Sequence, residues 1–340
     1  MKIETNSGQR DARVALEQHE LSHAKRGLFW GVISGATWGL DGVIWGMAFL
    51  VMPFAIESDV LKVIIAVSVA SAAMHDGFAA FWLFWYNLFT GKFLEYLRTL
   101  KTRPGKIVCL AALFGGPIAM TGYSAGIMLA GASYSLAITA MYPAVGAIMA
   151  VFILKEKITP RVWAGILMCI VGAIIVSWVA PEGDAYPMFY LGLGLSLLAT
   201  FGWGMEGVLS TYGMDMADPD IAIGIRQATS FVVYFVLILP MFAGIYIFFD
   251  AFTTSAVGYM ALAGFLGAVS YLAWYRALNT TGVGRAMAFN ITYALWAIVF
   301  GYLLTDIQIT TNLVVGAIII TLGTILVSAN PKELLNLRKV

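Results

Sequence analysis

WGLDGV at Trp38–Val43 and WGMEGV at Trp203–Val208 are one six-residue phrase written twice. The copies agree at Trp, Gly, Gly and Val, and each keeps an acid at its fourth position, Asp41 in one and Glu206 in the other. Both lie inside long apolar runs, where a carboxylate at the bilayer centre costs at least about 2.5–3.5 kcal/mol. A costly residue kept at the same place in both copies points to an internal repeat whose acids serve a purpose.

The surroundings decide the class. Of 340 residues, 60% are hydrophobic, only 11% are charged and 35 are glycine; the mean hydropathy is +0.85. Such a chain reads as an all-α integral membrane protein. The formal net charge of +1, with basic residues in short clusters between apolar runs, excludes a nucleic-acid partner. Cys109 and Cys169 fall within apolar runs and read as small hydrophobes. No phosphate loop, dinucleotide fingerprint, metal-ligand spacing or nucleophile elbow occurs, so nothing argues for an enzyme, a cofactor or a metal.

Windows long enough to cross the hydrocarbon core, about 20 apolar residues each, fall at Gly27–Leu50, Val63–Phe89, Ile107–Ala130, Ala132–Leu154, Val162–Val179, Pro187–Ser210, Ile221–Phe249, Ala256–Leu278, Gly282–Leu304 and Leu313–Ala329. That predicts ten transmembrane helices. Lys and Arg concentrate before the first, between the second and third, between the fourth and fifth, and after the tenth, while the opposite loops hold only Lys62. Both termini are therefore expected in the cytoplasm. Residues 1–26 read as a cytoplasmic tail, either unstructured or, over Asp11–Ala24, a helix on the membrane surface; residues 330–340 form a second tail.

Trp203 follows Trp38 by 165 residues, whereas Tyr293 follows Tyr142 by 151 and Thr310 follows Thr159 by 151. The difference, 165 − 151 = 14 residues, fits a longer outside loop around Glu57–Lys62 in the first half. Residues 27–180 and 187–329 then form two five-helix repeats. An odd number of crossings turns the second upside down, and such inverted repeats place a shared cavity near the bilayer midplane.

Candidate residues follow from that symmetry. Trp38 and Asp41 stand three apart on a helix, as do Trp203 and Glu206, so each ring shares a face with its acid. An aromatic face beside an anion suits an organic cation. The competing readings are lipid-facing tryptophans, as expected for Trp30, Trp163 and Trp178 near span ends, and acids held in a structural hydrogen bond or an ion pair with Arg226. MHDGF places His75 and Asp76 at the depth where the other half has Arg226 and Gln227, either as a polar network with a coupling proton or as packing glue. Thr139, Tyr142 and Pro143 correspond to Asn290, Tyr293 and Ala294, and Tyr123 to Trp274. Pro143 reads as a kink. Glycines at 31, 35 and 39, and at 42 and 46, read as close-packing seams.

Ten helices in two inverted halves resemble the drug/metabolite transporter superfamily, EamA type. GGPIAMTGYSAG from Gly115, SLAITAMYPAVGAIMAVFILKEKI from Ser135, WGMEGVLSTYGM from Trp203, IRQATSFVVY from Ile225, YLAWYRALN from Tyr271 and FNITYALW from Phe289 are similar to bacterial choline-uptake permeases of the phosphorylcholine pathway. The resemblance runs from about Gly27 to Ala329. It implies a multi-pass protein of the bacterial inner membrane that imports choline, or a related quaternary ammonium cation, by alternating access. It also carries Trp38, Tyr142, Trp203, Glu206, Trp274, Asn290 and Tyr293 over as a cation cage. Asp41 departs from that pattern, which has a small residue there; a second carboxylate favours another cation or proton coupling. The alternatives are an exporter of amino acids or hydrophobic metabolites, with Arg226 as the anion-binding group, and a membrane scaffold or receptor that does not transport.

Overall fold

The computed structural model describes residues 4–55, 60–130, 138–139, 141–178, 188–304 and 311–328, and among these the chain is helical without a strand. The helices are α1 (Glu4–Ala48), α2 (Leu61–Phe89), α3 (Phe93–Leu100), α4 (Arg103–Leu113), α5 (Ala119–Ala130), α6 (Tyr142–Ile153) and α7 (Pro160–Ser177). There follow α8 (Phe189–Gly213), α9 (Pro219–Val233), α10 (Gly244–Asp250), α11 (Ala256–Thr281), α12 (Val283–Asn290), α13 (Tyr293–Leu304) and α14 (Thr311–Ser328). Six helical stretches among the described residues are long and apolar enough to cross a membrane. The tail 330–340 and the first half of the Glu57–Lys62 loop lie outside the described residues.

Local chemistry sets several boundaries. Thr102, Thr159 and Asp218 cap α4, α7 and α9, each accepting from a backbone N–H of the first turn, and each cap stands just before a helix that carries Pro at its first or second position. That pairing of oxygen cap and early proline satisfies or removes orphan donors. Gly282, at φ 80°, ends α11 in a conformation that favours glycine. α4 runs into α5 through a π turn, Phe114–Ile118, that holds Pro117, as such turns absorb a missing donor.

The structure differs from the sequence expectations at three places. α1 is helical from Glu4 and runs without a break through most of the first apolar window, so the tail is neither unstructured nor a separate helix. The seventh window breaks at Ala243, whose φ of 56° separates α9 and its π turn from α10. The ninth window breaks between Asn290 and Tyr293 into α12 and α13. Of the fourth window, most of 132–141 lies outside the described residues, and α6 occupies the rest.

Polarity is inverted relative to a soluble bundle. Phe84, Phe152, Tyr190, Val236, Tyr246 and Leu303 are exposed, whereas Asp41, His75, Asp76, Glu206, Arg226 and Gln227 are buried. An apolar exterior around buried ionisable groups is what a bilayer solvent selects.

α1 packs on α11, α12 and α13; α8 packs on α5 and α6; α7 packs on α14. Glycine makes these approaches possible. A Cβ at Gly31 or Gly39 would sit 2.7 Å from Phe289 or Trp296, so the first seam is real; at Gly42 and Gly46 nothing lies within 4 Å, so the second expected seam meets no neighbour. Between α7 and α14, a Cβ on Gly323 would lie 2.8 Å from the Gly165 carbonyl oxygen and the Cys169 sulfur. Gly323→Ala is therefore expected to cost about 1–3 kcal/mol, read as a lower thermal midpoint in detergent. Gly258→Ala, with open space around it, should not lower the midpoint.

Candidate functional site

One cavity lies where α1, α5, α6, α8, α11, α12 and α13 converge. Trp38 and Trp203, the two tryptophans of the repeated phrase, both line it, so neither points to lipid. Trp38 packs at 5.2 Å on Tyr271, and Trp203 at 5.1 Å on Tyr123 and 6.1 Å on Tyr142. Trp274, Tyr293, Asn290, Ser270 and Glu206 complete the wall. Tyr142 donates to Asn290 Oδ1 at 2.5 Å, Asn290 Nδ2 donates to Ser34 Oγ at 2.8 Å, and Ser270 donates to the Ser34 carbonyl at 2.8 Å. This polar tie spans α1, α6, α11 and α12.

Behind the cavity runs a continuous chain of charged groups. Glu206 accepts from Arg226 Nε at 2.6 Å and Nη2 at 3.2 Å, and from Tyr275 at 3.4 Å. Arg226 also donates to Gln227, stands 3.6 Å from Asp76 and lies 5.0 Å over the Tyr271 ring. Asp76 accepts from Ser230 on Oδ2 at 2.5 Å and from Gln227 on Oδ1 at 3.5 Å, and the same Oδ1 lies 3.4 Å from His75 Nδ1. His75 Nε2 is 3.2 Å from Asp41, and the imidazole stacks on Trp45 at 4.5 Å. The ion pair between Glu206 and Arg226 is thus present, yet the carboxylate still borders the cavity. Asp41 does not line the cavity; it faces His75, and its Oδ1 has no partner. Arg226 is wholly enclosed.

All twelve candidate residues from the sequence fall in this assembly, as cavity wall or as charge chain. The sequence missed Tyr271, Ser270, Ser34, Ser230 and Tyr275. Tyr271 was within reach, because it stands three residues before Trp274, the spacing that linked Trp38 to Asp41. Of the expected interfacial tryptophans, Trp178 is exposed, Trp163 is half-buried and Trp30 lies 4.7 Å from the Arg276 guanidinium.

A second polar cluster closes one end of the bundle. Asp220 accepts from Arg276 Nε and Nη2 at 2.7 Å, from Lys92 at 2.8 Å and from Tyr86 at 3.2 Å, and Asp218 shares Lys92 at 2.8 Å. Partial burial pulls the Lys92 amine down, but its hydrogen bonds to Asp218 and Asp220 outweigh that and hold it above the ordinary lysine value. Nearby, the Glu156 carboxylate accepts from the Val283 N–H at the start of α12, a favourable place for an anion. Among the described residues no group of His, Cys, Asp and Glu is arranged to hold a metal.

An apolar-skinned helical bundle with a buried polar centre and an aromatic cavity defines a membrane transporter rather than an enzyme. The chain belongs to the EamA-like transporter family, whose model matches residues 25–178 and again 190–329. It is 27% identical over 285 residues to Protein LicB of Haemophilus influenzae, covering 82% of this chain and 89% of that protein. It is 28% identical over 194 residues to an uncharacterized transporter of Clostridium kluyveri, covering 56% of this chain and 61% of that one. A protein crystal structure superimposes with a TM-score of 0.65 at 13% identity, over 89% of this chain and 97% of that one, a likeness of fold.

Proposed function

We propose that the chain is a secondary transporter that imports choline or a related quaternary ammonium cation across a bacterial inner membrane, both termini in the cytoplasm. The observation that carries this is an aromatic cavity bordered by a centre with too few positive charges. Counted as formal charges among the described residues, Asp41, Asp76 and Glu206 give −3 against +1 from Arg226, which leaves −2, or −1 with His75 protonated. Buried charge is costly unless it is compensated. A cation held between ring faces, with a proton on the chain behind it, supplies the deficit. A quaternary ammonium offers no donor hydrogen, so aromatic faces are its natural hosts.

Ten crossings in two inverted five-helix halves, at 27–180 and 187–329, are the architecture we infer for the cycle. Several observations support it. α13 begins and ends 151 residues after α6, and α14 likewise after α7. The family model matches twice. The packing of α1 on α11 and α13 has its counterpart in α8 on α5 and α6. Trp38 and Trp203, Tyr123 and Trp274, and Tyr142 and Tyr293 are three repeat-related pairs in one cavity. Asp76 and Gln227, repeat mates 151 apart, touch each other, as residues on a pseudo-twofold axis do. Rocking of the halves about that axis would open the cavity to each side in turn.

An exporter of zwitterions would need an anion-binding group in the cavity, and Arg226 is already committed to Glu206 and Asp76. The test is uptake of labelled choline into proteoliposomes, with betaine, carnitine and ethanolamine as competitors. Saturable uptake is expected. Absence of both uptake and choline binding would reject the substrate class.

A further inference from the structure

Far from the aromatic cavity, α3 is a helix with no buried residue. Leu94, Leu97 and Leu100 on it are 68%, 43% and 38% exposed and follow one another at three-residue spacing, which makes a single apolar stripe. Arg98 stands four residues after Leu94, and Lys101 four after Leu97, so each base borders the stripe. Arg103 and Lys106 carry the positive run into α4, and all four bases are exposed. None forms an ion pair with a carboxylate among the described residues. Against them the segment 93–106 sets one acid, Glu95.

On its other side α3 is tied to the bundle. Lys92, just ahead of it, donates to Asp218 and Asp220 at 2.8 Å, and Tyr96 donates to the Gly224 carbonyl of α9 at 3.3 Å. What meets the stripe follows from its neighbours. The last turns of α2, directly before α3, expose Trp82, Trp85 and Phe89, and indoles exposed at the end of an apolar span belong at the level of lipid headgroups. A helix that follows at that level, with leucines flanked by bases, has the chemistry of one lying on a membrane surface, its leucines at the acyl boundary and its bases among phosphates. Water would leave three leucines wet, and an acidic protein partner would answer the bases without accounting for the indoles beside them. We propose that α3 and the start of α4 form a docking surface for anionic phospholipid headgroups, which fix α3 and, through Lys92 and Tyr96, steady the Asp220 cluster that closes this end of the bundle. The surface is independent of what the aromatic cavity carries.

The experiment titrates the purified full chain in detergent with phosphatidylglycerol, phosphatidylethanolamine and soluble glycerol 3-phosphate, reading bound lipid and the thermal midpoint. A base near an anionic surface strengthens association about fivefold, so phosphatidylglycerol is expected to bind at least about tenfold more tightly than phosphatidylethanolamine, and to raise the midpoint. Arg98→Gln, Lys101→Gln, Arg103→Gln and Lys106→Gln combined should erase the preference and the rise, yet keep the lipid-free midpoint, because these side chains pair with no acid. If that variant fails to fold, Arg98→Gln with Lys101→Gln decides, with a loss of at least about fivefold expected. Leu94→Ser with Leu97→Ser should weaken both lipids. Lys25→Gln with Arg26→Gln, a basic pair ahead of the first apolar window, should leave the preference unchanged. Equal binding of the two lipids by wild type, a preference that survives loss of the α3 bases, one abolished equally at Lys25 and Arg26, or glycerol 3-phosphate binding as tightly as phosphatidylglycerol each overturns the surface.

Discussion

Arg226→Gln is expected to deplete folded protein, not merely to slow transport. The substitution takes away the only guanidinium that faces Glu206 and Asp76 among the described residues and leaves their carboxylates in a centre closed to solvent. Removing one partner of a buried ion pair costs about 3–5 kcal/mol, a large part of the 5–15 kcal/mol by which proteins are commonly stable. A sharp fall in monodisperse yield and in thermal midpoint should follow. Arg226→Lys keeps the charge but not the two-pronged contact with Glu206, so it should fall between the two. Adding Glu206→Gln to Arg226→Gln should recover part of the lost stability, because it removes the stranded anion. Wild-type stability for Arg226→Gln alone would contradict the charge count on which the proposed function rests.

Trp203→Ala is expected to weaken cation binding by about 30-fold or more. A desolvated cation over an indole face gains about 2 kcal/mol, and the same ring supports Tyr123 and Tyr142, which pack against it. Trp203→Phe keeps a face and should lose much less. Trp38→Ala should behave like Trp203→Ala, because the two rings occupy corresponding places in the wall. Tyr190→Ala, at an 85% exposed position, is the control and should leave binding alone. Equilibrium binding of labelled choline reads all four, and an unaltered affinity in Trp203→Ala would remove the cage.

Much of this was legible in the residues themselves, because membrane helices announce their length in apolar runs and repeats announce themselves by spacing. The doubled phrase located the cavity, and the shared depth of His75–Asp76 and Arg226–Gln227 located the charge chain. Other features were hidden for definite reasons. Ala243 breaks a helix through a positive φ, yet alanine is apolar and the hydropathy profile runs straight across it. The gap between α12 and α13 falls at Ile291 and Thr292, again without a polar signal. Asp41 and Glu206 were treated as equivalents, but their side-chain partners differ: Asp41 meets a titratable imidazole and Glu206 a permanent cation. Spacing fixes which face a side chain occupies, not which neighbour it reaches.

α1 is one unbroken helix of 45 residues, about 68 Å of rod at 1.5 Å per residue, against a hydrocarbon slab of about 30 Å. The same helix carries Trp38, so one rod joins the cavity wall to a stretch far longer than such a slab needs. In a rigid rod, a tilt at Trp38 displaces the far tip more than the ring itself. A fluorophore or spin label fixed near the amino terminus is therefore a sensitive reporter: if α1 moves as one body when choline binds, the label is expected to move with it, and an unchanged signal on saturation with choline would show that it does not.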